Sequence, residues 1–253
     1  MGSALARSIC RIKEIKVYIS DSNLEKAKAF CVENGAEISD NISIVKNCDY
    51  IFLAVKPNAF EAVLSPLKNA FSENKDSVVV TMAAGLSINR VEELLCEAHP
   101  IIRIMPNTPA AVGEGMITWC KNELVTESSA KEFEGILKYA GQLDAIDEKL
   151  IDAASAVAGC GPAFAYMFIE ALADGAVLCG LPRDKAIAYA AKTLRGAASM
   201  VLDTGKHPEQ LKDEVCSPGG TTIEGVAALE KGAFRADASS AVVAAFEKTK
   251  KMG

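Results

Sequence analysis

Four short runs constrain the fold of the first half of this chain: residues 15–20 (IKVYIS), 49–55 (DYIFLAV), 77–82 (SVVVTM) and 101–105 (IIRIM). The last three are apolar almost throughout, as strands buried on both faces are. Between them, residues 23–34 read as a helix stopped by Gly35, and residues 59–71 and 87–96 read as two more. Strands alternating with helices imply a parallel sheet covered on both sides, with ligands at the carboxyl ends of the strands. From about Leu150 the strand pattern stops. Residues 162–179, 182–202, 208–214, 222–230 and 236–251 read as helices, three with Pro at or near the first turn. The expected fold class is α/β, a Rossmann-like sheet domain over residues 1–149, followed by an all-α domain over residues 150–253.

Within that second half, residues 163–178 (AFAYMFIEALADGAVL) are apolar nearly all round, which requires burial on every side. A helical domain of this size cannot enclose such a helix alone, so a second subunit is expected to cover it. Glu170 and Asp174 lie one turn apart on it, the spacing of a catalytic carboxylate pair, but read rather as solvated or capping groups. Residues 153–169 carry no charge, but are cut by Gly159-Cys160-Gly161-Pro162, too short for a bilayer span, and read as a buried segment.

A net charge of −6 argues against nucleic acid or an anionic membrane as partner. The eight cysteines are dispersed without a C-x-x-C pair, as expected of reduced thiols in a cytoplasm. The two histidines, His99 and His207, are far apart in sequence, and no metal site is expected. Charged residues from Arg7 to Glu14 break any signal-peptide core.

Four stretches carry chemistry. The chain opens MGSALARSIC, the start of a helix, and Met1-Gly2 fits the last two positions of a G-x-G-x-x-G dinucleotide loop. Ala54-Val55-Lys56-Pro57 and Met82-Ala83-Ala84-Gly85 each end a buried strand, where small residues let a flat ligand approach the backbone. Residues 216–225 (CSPGGTTIEG) combine a tight turn with a possible capping box, Thr221 with Glu224. The N–H groups of Gly219, Gly220, Thr221 and Thr222 and the hydroxyls of Ser217, Thr221 and Thr222 converge there, which suits a carboxylate.

VCSPGGTTIEGVAALEKGAFR, MPNTPAAVGEG, LAVKP and AGCGPAFAYMFIEALADGAVLCGLPR together resemble the pyrroline-5-carboxylate reductase family. The resemblance implies reduction of the cyclic imine of pyrroline-5-carboxylate to L-proline with NADPH or NADH. It implies a Rossmann-like domain and a helical domain that intertwines with a partner's, giving a dimer or a larger assembly of dimers. Carried over, the cofactor positions are Met1, Gly2, Ala54, Val55, Lys56, Pro57, Met82, Ala83, Ala84 and Gly85. Asn41 belongs with them, and Ser20, Asp21 and Ser22 fall near the adenosine ribose. Asp21 there would favour NAD by bonding a 2′-hydroxyl, and Ser20 and Ser22 would tolerate a 2′-phosphate, which leaves both cofactors open. Asn107 and Thr108 would face the nicotinamide and substrate. The substrate loop is Ser217, Gly219, Gly220, Thr221 and Thr222, with Thr222 the catalytic group on the imine nitrogen.

The family's Gly-Ser-Gly-Pro is here Gly159-Cys160-Gly161-Pro162, a small-for-small exchange. Family members begin with a strand and a G-x-G-x-M-G loop, and this sequence begins at that Met. Either the reading frame starts upstream, which is the expectation, or the product is a shortened one. Two rivals remain. A β-hydroxyacid dehydrogenase would use Lys185 or Lys192 as its acid, but neither sits in a glycine-rich context. The other is a non-catalytic helical dimer.

Overall fold

A computed structural model describes residues 1–96 and 98–251, in two units. One holds Met1–Cys160 with the C-terminal residues from Ala245, the other Gly161–Ala244.

The first unit runs α1 (Gly2–Ile9), β1 (Tyr18–Ile19), α2 (Leu24–Asn34), β2 (Glu37–Ile38), α3 (Asn41–Asn47) and β3 (Tyr50–Leu53). It continues through α4 (Phe60–Leu64), α5 (Lys68–Glu73), β4 (Val78–Thr81), α6 (Ile88–Leu95) and β5 (Ile101–Met105). It closes with β6 (Gly115–Lys121), α7 (Glu127–Leu137), β7 (Gly141–Ala145) and α8 (Glu148–Ala158). Side-chain caps set several starts: Asn23 accepts the N–H of Lys26, Ser87 that of Arg90 and Thr126 that of Ser129. Gly35 ends α2 at φ 72°, a left-handed conformation that favours glycine.

Strands β3 to β7 form one sheet in sequential order, and β1 and β2 form a separate parallel pair. β3, β4 and β5 are parallel, β5 and β6 antiparallel, β6 and β7 parallel. β4 and β5 bury both faces, as expected, whereas β3, at the edge of the sheet, buries Ile51 and Leu53 and leaves Tyr50 and Phe52 half-buried. Val79, Ile101 and Met105 face a core with Phe60, Phe71 and Ile151, while Val80, Ile102 and Ile104 face one with Leu5, Phe133 and Leu137. Each fully buried side chain of this kind contributes about 1.5–3 kcal/mol.

Several expectations change. The strand expected at 15–20 is confined to Tyr18–Ile19, because β1 has one hydrogen-bonding neighbour, β2. The helix expected over 59–71 is two, α4 and α5, separated by a 3-10 turn at Ser65–Leu67 around Pro66, which lacks an N–H. The sheet is not wholly parallel. After β5 the chain turns back through a 3-10 turn, Thr108–Val112, and left-handed Gly113, too short a link for a helical crossover, so β6 returns antiparallel.

The second unit contains α9 (Gly161–Leu178), α10 (Arg183–Thr204), α11 (Pro208–Val215), α12 (Thr221–Lys231) and the start of α13 (Phe234–Lys250). Within one chain α9 buries Ala173 alone, against Ala186 and Ala190 of α10. Tyr166 and Met167 are 60% and 69% exposed. Residues 153–169 are therefore not a fully buried segment within one chain: Ala156 is buried there and the rest is half-buried or exposed. The run Glu148–Leu178 is also long and apolar enough to cross a membrane by length and composition, contrary to expectation. It is two helices, and polar ties described below fix the first of them to the sheet.

Candidate functional site

Met1 and Gly2 open α1, and no side chain caps that end. A Cβ on Gly2 would lie 2.6 Å from the Cβ of Ala54, so the helix start is pressed against the carboxyl end of β3. Leu53 pairs with Thr81, which sets Ala54 and Met82 side by side beyond the strand ends. Val55 packs into the core, while Lys56 is exposed and precedes a 3-10 turn begun by Pro57. Ala83 is buried, Ala84 is partly so, and Gly85 turns at φ 78°. The structure thus brings Met1, Gly2, Ala54–Pro57 and Met82–Gly85 to one edge of the sheet.

Asn107 lies past the end of β5 and is 7% exposed. Its Oδ1 accepts the N–H of Met116 at 3.0 Å, and its Nδ2 donates to the carbonyl of Ala158 at 2.9 Å. The side-chain amide is occupied, so Asn107 offers a ligand its backbone rather than its amide. Ser20 and Ser22 follow β1, and Asn41 begins α3.

In the second unit Gly219 adopts φ 66°, and the N–H of Gly220 donates to the carbonyl of Ser217 at 3.0 Å. A Cβ on Gly220 would lie 2.4 Å from the Ser217 hydroxyl, which would have to turn away to admit it. The expected capping box does not form: Gly220 is the N-cap of α12 and no side chain caps the helix. The tight turn places a residue without a side chain at the cap position, one ahead of Thr221. The first N–H groups of α12 and the hydroxyls of Ser217, Thr221 and Thr222 therefore stay available at one exposed helix end.

A charged network with a buried arginine lies elsewhere. Arg103 of β5 donates to Glu148 at 3.1 Å and to Asp152 at 2.9 Å, both on α8, with its own side chain 5% exposed. The same Glu148 oxygen accepts the N–H of Ile88 at the start of α6, at 2.8 Å. Cys120, on the neighbouring strand, has its thiol pushed up to about 12, chiefly by burial and next by the Glu148 carboxylate. Sequence reading passed over this network, and its signal was an arginine in the middle of an apolar strand. Asp174 pairs with Arg183, and with Glu170 lines a cleft of about 420 Å³ that contains none of the expected site residues.

A family described as "NADP oxidoreductase coenzyme F420-dependent" matches residues 1–85, and one described as "Pyrroline-5-carboxylate reductase dimerisation" matches residues 148–252. The pyrroline-5-carboxylate reductase of Escherichia coli is 44% identical over 219 residues, 87% of this chain and 80% of its own length. The solved structure of a Plasmodium falciparum pyrroline carboxylate reductase with NADP bound is 36% identical, with a TM-score of 0.87 over 100% of this chain and 94% of that one. A Coxiella burnetii pyrroline-5-carboxylate reductase is 31% identical, with a TM-score of 0.90 over the same shares.

Proposed function

From the premise that this chain belongs to the pyrroline-5-carboxylate reductase family, we propose that it reduces pyrroline-5-carboxylate to L-proline with NADPH or NADH. The observation that carries the reading is the uncapped start of α12, with Ser217, Thr221 and Thr222 gathered on it. Backbone N–H groups of Gly219, Thr221 and Thr222 hold the substrate carboxylate, aided by the positive end of the helix, while the N–H of Gly220, expected to join them, closes the turn on Ser217. The Thr222 hydroxyl bonds the ring nitrogen and positions it. A reduced nicotinamide, when bound, would supply a hydride to the imine carbon, and the ring nitrogen would take one proton relayed from solvent through the Thr222 hydroxyl. The chain's own share of the rate is orientation of the imine.

The residues fit a dinucleotide. Gly2 leaves no room for a side chain beside Ala54, and the strand ends carry Ala54, Ala83, Ala84 and Gly85, which let a ligand close on the backbone. Met1, Gly2, Ala54, Val55, Lys56, Pro57, Met82, Ala83, Ala84 and Gly85 would hold it, with Ser20, Ser22 and Asn41 toward the adenosine and Asn107 through its backbone. The division into residues 1–149 and 150–253 is supported by the dimerisation match that starts at residue 148, although the compact units divide later, after Cys160, with α8 in the first. Homodimers or assemblies of them are supported by the open apolar surface of α9. A cytoplasmic location is supported by eight cysteines that are all free.

The test is loss of reduced-nicotinamide absorbance when pyrroline-5-carboxylate meets purified chain 1–253, with NADPH and NADH in parallel. Turnover is expected, and its absence with both cofactors, in chain 1–253 and in an upstream-extended chain alike, would overturn the reading. Thr222→Ala should lower turnover about ten- to a hundredfold, the cost of one lost hydrogen bond in the transition state. Unchanged turnover would remove Thr222 from the mechanism.

A further inference from the structure

Cys96 closes α6, and a lysine from another helix meets its sulfur. The lysine is Lys68, the first residue of α5, and its ammonium donates to the Cys96 Sγ at 2.9 Å. The two residues are 28 apart in sequence, with β4 and all of α6 between them. Cys96 holds φ 61°, a left-handed turn that side chains other than glycine's resist. In that turn its thiol also reaches the Glu93 carbonyl, at 3.4 Å.

The acids beside this pair are engaged elsewhere. Glu93 pairs with Arg90 at 2.6 Å, and Glu92 accepts from the Asn122 amide at 2.8 Å. Among the described residues the Lys68 ammonium therefore meets a sulfur and no carboxylate. An open cleft of about 400 Å³, lined by Glu92, Glu93, Cys96 and Ala98, lets a small oxidant reach that sulfur. The other thiols differ. Burial pushes those of Cys10, Cys31, Cys48 and Cys120 up, away from the reactive thiolate. Cys179 is exposed as Cys96 is, but no lysine or arginine bonds it among the described residues.

We propose that Cys96 and Lys68 form a reversible oxidative cross-link, made by hydrogen peroxide, in which the Lys68 nitrogen captures the oxidised sulfur as a sulfenamide. The Cys96 thiolate attacks one peroxide oxygen and the O–O bond breaks. Lys68 gives a proton to the departing hydroxide, so water leaves. Sulfur is oxidised by two electrons to the sulfenic acid, the peroxide is reduced, and Lys68 is left beside it as a free amine. The amine nitrogen attacks sulfur and the S–O bond breaks. The hydroxyl departs with a proton from that nitrogen, as a second water. A thiol reductant reverses the link by attacking the sulfur and releasing the amine. Capture also spares the sulfur from irreversible oxidation to the sulfinic acid. Neither residue belongs to the strand-end or SPGGTT site, so the proposal stands apart from the reaction proposed above.

The test treats chain 1–253 with hydrogen peroxide and reads the intact mass and the mass of its peptides. The chain should lose two hydrogens, yield a peptide pair joined at Lys68 and Cys96, and recover both with dithiothreitol. Lys68→Arg keeps the cation and removes the attacking amine. Its Cys96 should form no pair and run on to the sulfinic acid, a gain of two oxygens. Sulfinic acid forming on Cys96 as readily in the parent as in Lys68→Arg would overturn the proposal. So would a parent Cys96 that stays a thiol while Cys179 is oxidised, or a two-hydrogen loss that persists in Lys68→Arg.

Discussion

In the first unit Phe60, Phe71 and Phe133 are closed off from solvent on the two faces of one sheet, whereas in the second the buried hydrophobic residues are Ala173, Ala186 and Ala190. The second unit is no less apolar for that. α9 carries Tyr166, Met167, Leu172 and Leu178 in the open, with Leu178 90% exposed. A sheet sandwiched by helices completes its own core, while α9 and α10 meet through small residues and leave the large ones without cover. Soluble chains rarely leave such a surface bare, so the second unit depends on association where the first does not.

The largest effect should come from Met167→Asp. A symmetric interface would carry the change twice, and each buried methionine is worth about 1.5–3 kcal/mol before the cost of burying a charge. The variant is expected to run as a monomer by size-exclusion chromatography with light scattering. An unchanged mass would place the interface elsewhere and break the contrast between the units.

Phe133→Ala probes the other side. It should destabilise the first unit by about 3–5 kcal/mol, read from urea denaturation, because the cavity cannot refill. Its assembly mass at low denaturant should match the parent's. A variant that loses mass and stability together would show that the first unit also needs its partner.

The smallest effect is acid-dependent. Glu209 on α11 pairs with Lys212 and with Arg235 of α13, and these hydrogen bonds hold its carboxyl down at about 2 against an ordinary 4.5. A lowered pKa means that the pairing stabilises fully above pH 4.5 and is lost as pH falls from there toward 2. The melting temperature of Glu209→Gln should therefore fall less than the parent's across that window. Equal slopes would show that the pairing adds nothing to the second unit.

The strands Ile101–Met105 and Val78–Thr81 were legible because a short run without polar alternation fits a strand covered on both faces. The caps at Asn23 and Ser87 and the stop at Gly35 were legible because they act within four residues. β6 and β7 were not, since GMITWCK and GQLDA mix polar and apolar residues, and they become strands by pairing with neighbours. The SPGGTT turn was recognised, but not that its second glycine takes the cap position itself and leaves the Thr221 hydroxyl free of capping. That required backbone geometry. Asn107 was expected to face a ligand, and its amide is instead bonded to Met116 and Ala158, partners 9 and 51 residues away. Sequence spacing carries no trace of the second.

One oxygen of Glu148 serves both the first N–H of α6 and the guanidinium of Arg103, whose other arm reaches Asp152. A middle strand of the sheet, the start of one helix and the first two turns of another thus share a single set of bonds. They cannot open one at a time without stranding a charge. In hydrogen-exchange terms α8 belongs to the slow-opening block of the sheet, and its amides should exchange with those of β5. The helix that leads out of the first unit should therefore let go together with the sheet and not ahead of it.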